Sequence, residues 1–120
     1  MSENALWTGL CVEYIGDDDF SEICESNDFE LKKEDSDEEY YFFERNIKGQ
    51  WLPYKHSIKE GFIYNLYYEY GCYDQDLDMS LKDMLKIQKK LFEKIDKFDL
   101  GELRLFSYLW YNGCDCPFKM

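Results

Sequence analysis

The stretch HSIKEGFIYNLYYEYG, residues 56–71, decides how the second half of this chain is built. Read at 100° per residue, it sets Phe62, Ile63, Leu66, Tyr67 and Tyr70 on one face and points Tyr64 and Tyr68 the opposite way. Ser57 and Glu60 stand in the capping-box relation, in which each side chain satisfies a backbone N–H that the first helical turn leaves orphaned. Gly71 follows where a left-handed residue ends a helix. The pattern predicts a helix over residues 58–70 with two apolar faces, and two faces need two neighbours.

Toward the C-terminus, SLKDMLKIQKKLFEKIDKF (residues 80–98) repeats the logic. Ser80 and Asp83 cap its start, and Lys94 and Lys97 lie near its negative end. Leu81, Met84, Leu85, Leu91, Phe92, Ile95 and Phe98 form one stripe, with Lys82, Lys86, Lys89, Lys90 and Glu93 covering the rest. DLGELRLFSYLWYNG (residues 99–113) offers Asp99 and Glu102 as a further capping pair before a segment apolar nearly all round. That reads as a buried helix, with a buried strand as the alternative.

Toward the N-terminus the period changes. Between Phe29 and Tyr54, FELKK, EYYFFER and QWLPYK are short and rich in aromatic residues, and EDSD and NIKG between them contain turn formers. A small antiparallel meander is expected there, with Pro53 on an edge or at a strand end because it cannot donate to a ladder. DDDFSEICESND adds a short turn of helix with Asp17, Asp18 and Asp19 at its positive end. In the first segment Leu6, Trp7, Leu10, Cys11, Tyr14 and Ile15 recur at helical spacing after Ser2, a cap candidate, and before Gly16. The expected architecture is α+β: a single domain over residues 1–120, with an N-terminal helix, a short antiparallel β-meander and three C-terminal helices.

With 120 residues, 45% of them hydrophobic and 19% aromatic, the chain has enough apolar matter for one core. It contains no run of roughly 18 apolar residues to cross a bilayer, and MSENALWTGL lacks a basic n-region and an apolar h-region. A cytoplasmic location is expected. Five cysteines, an odd number without framework spacing, point to reduced thiols.

The charge is the informative quantity. The net of −12 is carried by residues 1–45, where fifteen acids face only Lys32, Lys33 and Arg45, while the remaining 75 residues balance eleven acids against eleven bases. Like charges so concentrated lower the stability of the compact state, so the field serves solubility or attracts something basic. DNA, RNA and anionic membranes are excluded as direct partners.

No arrangement for chemistry survives inspection. Asp74, Asp76 and Asp78 begin like a calcium loop, but Met79 replaces the glycine of the sharp turn and Leu85 the bidentate acid at its end. Cys114 and Cys116 have the wrong spacing for a zinc knuckle, and a site built from them with Cys72 and His56 would have to be assembled from distant parts of the chain. His56, the one histidine, precedes a helix cap, where a structural role is expected. No glycine-rich phosphate loop is present. The expectation is therefore a non-enzyme without cofactor or metal.

What remains is acid and tyrosine. The segment DFELKKEDSDEEYY (residues 28–41) ends a run of acids with two rings of the kind enriched in interface hot spots. The implied function is a small inhibitor that binds a basic nucleic-acid-binding protein or nuclease and blocks its nucleic-acid or active-site surface. By size and charge alone this resembles phage anti-defence proteins, including anti-CRISPR and anti-restriction DNA mimics, and immunity proteins that neutralise nuclease toxins. Asp17, Asp18, Asp19, Glu34, Asp35, Asp37, Glu38 and Glu39 would supply the field, with Tyr40 and Tyr41 as anchors. The alternative is an adaptor subunit that docks through Tyr64 and Tyr68, its acidity serving only solubility.

Overall fold

The computed structural model describes residues 5–29, 49–55, 59–70 and 78–110, and these residues form a four-stranded antiparallel sheet with two helices. The elements run β1 (Ala5–Glu13), α1 (Phe20–Ser26), β2 (Trp51–Lys55), β3 (Glu60–Tyr70), α2 (Leu81–Phe92), a 3₁₀ turn (Lys97–Asp99) and β4 (Arg104–Trp110). The strand order is β2-β3-β1-β4, so the first and last strands of the chain lie side by side and β2 is an edge. Pro53 occupies that edge strand opposite Phe62, where its missing N–H is tolerated.

Three expected helices are strands. The first segment is β1, residues 58–70 become β3 from Glu60 onward, and the apolar segment after Asp99 becomes β4. For β1 and β3 the cause is burial on both faces. Residues 8–12 of β1 and residues 61–65 of β3 are buried one after another, so the alternation that marks a half-exposed strand is lost. The capping pairs were coincidences of spacing. Glu60 opens a strand, and Asp99 closes a 3₁₀ turn, where its carbonyl accepts the Ile15 N–H at 2.8 Å.

The pleat sorts the buried residues into two sets. On one face Leu10, Val12, Trp51, Phe62 and Tyr64 meet Phe20 and Cys24 of α1, Phe29, and Leu91 and Ile95 from α2 and the turn after it. The Phe62 ring is the hub, with Phe20 at 5.3 Å and Phe29 at 4.8 Å between centroids. On the other face Cys11, Leu52, Tyr54, Ile63 and Phe106 are equally buried. Each large apolar side chain so enclosed contributes roughly 1.5–3 kcal/mol.

Helix α2 starts as expected: the Ser80 side chain accepts the Asp83 N–H at 3.2 Å. Its inward stripe is narrower and rotated from the one read in the sequence. Met84, Ile87, Leu91 and Phe92 turn toward the core, while Leu81, Leu85 and Phe98 are exposed. One bond clamps this helix to the sheet: the Trp51 indole Nε1–H donates to the Ile87 carbonyl at 2.9 Å.

The β1/β3 ladder contains a bulge. Thr8 pairs with Tyr67 and Gly9 with Asn65, leaving Leu66 as the extra residue on β3. At the bulge the two backbones approach so closely that a Cβ on Gly9 would stand 2.0 Å from the Tyr64 carbonyl oxygen. No side-chain rotation relieves a clash with backbone. Gly9→Ala is expected to destabilise the fold by about 3 kcal/mol or more, read as a drop in the urea midpoint with the slope unchanged.

Candidate functional site

Six acids and no base occupy residues 17–28, and all six side chains are exposed. The short helix α1 arranges them. Its cap is Asp19, extended at φ −62° and ψ 124°, whose carboxylate accepts the Ser21 N–H at 2.9 Å. Phe20 and Cys24, four residues apart, are driven into the core, with Phe20 also against Tyr14 at 5.5 Å. That buried pair fixes the rotation of the helix and leaves Glu22 and Glu25 pointing outward with Asp17, Asp18 and Asp19.

The helix ends in a Schellman motif. Phe29 N–H returns to the Cys24 carbonyl at 2.8 Å and Asp28 N–H to the Glu25 carbonyl at 3.4 Å, which seats the Phe29 ring against Phe62. The residue this motif places in the left-handed region is Asp28, at φ 62°. Glycine is the usual occupant, and an L-residue there costs about 1–2 kcal/mol. Asp17, Asp18, Asp19 and Glu22 lie at the positive end of α1, where their charge is favourable, but Glu25 and Asp28 lie at the carbonyl end, which carries no base.

The phenol of Tyr14 registers this field. Its pKa is raised from the ordinary tyrosine value, by burial first and then by the carboxylates of Asp18, Asp99 and Asp17, with the Asp18 backbone N–H acting in the opposite sense. The ring folds back over Gly16, where a Cβ would lie 2.6 Å from the hydroxyl. Lys59 and Glu13 pair at 3.3 Å at the margin of this region, both partly exposed, and contribute little.

The structure therefore exposes Asp17, Asp18 and Asp19 and, along the same short segment, Glu22, Glu25 and Asp28, which sequence reasoning missed. For Glu22 the signal was present in the spacing of Phe20 and Cys24, since an inward pair four apart turns the acid between them out. Glu34, Asp35, Asp37, Glu38, Glu39, Tyr40 and Tyr41 lie outside the described residues. Tyr64 lies in the core at 7% exposure, packed on Trp51, because alternation on a strand sends it the same way as Phe62. The backbone of Tyr68 pairs with Trp7 on β1, and its side chain lies outside the described residues.

Asp78 is exposed two residues before the Ser80 cap, whereas Asp74, Asp76, His56, Cys72, Cys114 and Cys116 lie outside the described residues. Among the described residues no three His, Cys, Asp or Glu side chains gather as a metal site. None of the helices among them is long and apolar enough to cross a membrane. Comparison of the chain with protein families, curated proteins and solved structures gives no match.

Two outcomes follow from this geometry. Asp28→Gly is expected to raise stability by about 1 kcal/mol, by removing left-handed strain and a charge from the negative helix end, whereas Asp28→Asn recovers only part of that; chemical denaturation of both checks it. Because the folded pKa of Tyr14 is raised, its contribution is fully present below about pH 10 and is lost as pH rises through the folded value. Unfolding free energies measured between about pH 9 and 12 should fall less steeply for Tyr14→Phe than for the parent chain.

Proposed function

We propose that this chain is a small non-catalytic inhibitor whose acidic surface docks on the basic groove of a nuclease or other nucleic-acid-binding protein. The observation that carries the reading is Asp28. An acid stands in a left-handed position that favours glycine, at the end of a helix that disfavours negative charge. Acids held where local stability opposes them are expected where charge serves recognition. Two of the six exposed acids, Glu22 and Glu25, lie on a helix anchored by Phe20 and Cys24, and the other four flank its two ends.

A negatively charged surface of this kind competes with phosphate for the same lysines and arginines and speeds association in a salt-dependent way. Anti-defence inhibitors and toxin immunity proteins share this chemistry and differ only in the partner. The adaptor reading has no comparable support, since Tyr64, one of its two anchors, is enclosed.

The test is capture of the partner from a host lysate, followed by competition. A basic nuclease or nucleic-acid-binding protein should be retained at low salt, displaced by duplex DNA, and weakened at least tenfold between about 0.05 and 0.3 M salt. The combined variant D17N/D18N/D19N/E22Q keeps a competent cap at residue 19 and should lose at least about tenfold in affinity while remaining folded, its melting temperature lowered only by the lost helix-end charges. Retention that ignores both salt and these substitutions, or a partner that DNA does not displace, overturns the reading.

A further inference from the structure

On the helix-bearing face of the sheet, between α2 and the start of β2, the structure encloses a half-open pocket of about 160 Å³. Its walls are the rings of Phe29, Trp51 and Tyr64, its base is Leu91, and its charged groups are Lys90 and Lys94. An apolar cavity of about 150 Å³ is the size that holds one benzene ring.

The walls are set in place before any ligand arrives. Trp51 is fixed by its bond to the Ile87 carbonyl, Tyr64 packs on Trp51 at 5.3 Å between centroids, and Phe29 is seated by the turn after α1. A preformed aromatic slot binds a flat ring without the cost of ordering its own side chains. Lys90 and Lys94 lie one helical turn apart, both exposed, and among the described residues no carboxylate pairs with either. The Lys94 ammonium stands 4.9 Å from the centroid of the Phe29 ring, which holds it beside the slot. These two cations persist in a chain of net charge −12. They also offset the negative carbonyl end of α2, which would otherwise repel an anion.

We propose that this pocket binds a small aromatic carboxylate, with its ring between Phe29, Trp51 and Tyr64 and its carboxylate on Lys90 and Lys94. The site is distinct from the acidic surface, which it meets only at Phe29, and its charged groups are of opposite sign. Shape selects the ring and charge selects the acid, so neither an aromatic cation nor a carboxylate without a ring satisfies both.

The probes are benzoate, benzylamine and acetate, titrated into the intact protein by calorimetry while the Trp51 indole N–H resonance is followed. Benzoate should bind with a Kd on the order of 1 mM and shift that resonance, and benzylamine and acetate should bind at least about tenfold more weakly. The double variant Lys90→Gln/Lys94→Gln changes only exposed side chains and should lose at least about tenfold in benzoate affinity with its melting temperature preserved. Lys94→Arg, which keeps the charge, should recover most of the affinity when paired with native Lys90. Equal binding of benzoate and benzylamine, no binding at about 20 mM, or full affinity in the double variant would overturn the proposal. Tighter binding of N-acetylphenylalaninate than of benzoate would also overturn it, in favour of a peptide terminus.

Discussion

The pairing of β1 with β3 is the constraint on which the rest of this molecule depends. These strands occupy the middle of the sheet, and their residues 8–12 and 61–65 are buried on both faces. The ladder accommodates its extra residue, Leu66, only because Gly9 lets the Tyr64 carbonyl come within van der Waals reach. The same strands align Leu10, Val12, Phe62 and Tyr64, the surface on which α1 and α2 are laid. The far end of β1 is then tied on both sides, with Tyr14 N–H on the Glu60 carbonyl and Gly101 N–H on the Glu13 carbonyl, both at 2.8 Å. The acidic residues that follow Gly16 therefore begin from a fixed point.

The two helices use that platform differently. Helix α2 agrees with every local rule: a serine cap, an acid in its first turn, lysines in its last, and a tryptophan bond to the sheet. Helix α1 breaks them at its C-terminal end, with an aspartate in the left-handed position and no base in its last turn. It is held by tertiary contacts of Phe20, Cys24 and Phe29, which supply what its seven residues cannot, since so short a helix is unstable alone.

One consequence is segregation of charge. Residues 17–28 present only acids, while α2 carries four lysines against one aspartate, and both pack on the same sheet face. The pocket beside Lys90 and Lys94 and the ridge around α1 share a wall residue, Phe29, which leaves α1 at its Schellman turn and ends at the pocket. Two surfaces of opposite charge are thus built on one apolar framework.

By itself the sequence determined the elements whose signals are local. The Ser80 cap with the helix after it, the short helix behind Asp19, the edge position of Pro53 and the concentration of acid before residue 45 all follow from neighbours a few residues apart. Tertiary structure alone decided β1, β3 and β4. In β1 and β3 the stretches covered on both faces have no period of two to read, and ahead of β4 Asp99 and Glu102 imitate a helix cap at that spacing. It also decided which tyrosine is enclosed, since Tyr64 faces the core only once its strand is paired, and the left-handed conformation of Asp28, which lies in a turn set by the burial of Phe29. Those outcomes rest on contacts between residues far apart in the chain, and no local pattern encodes them.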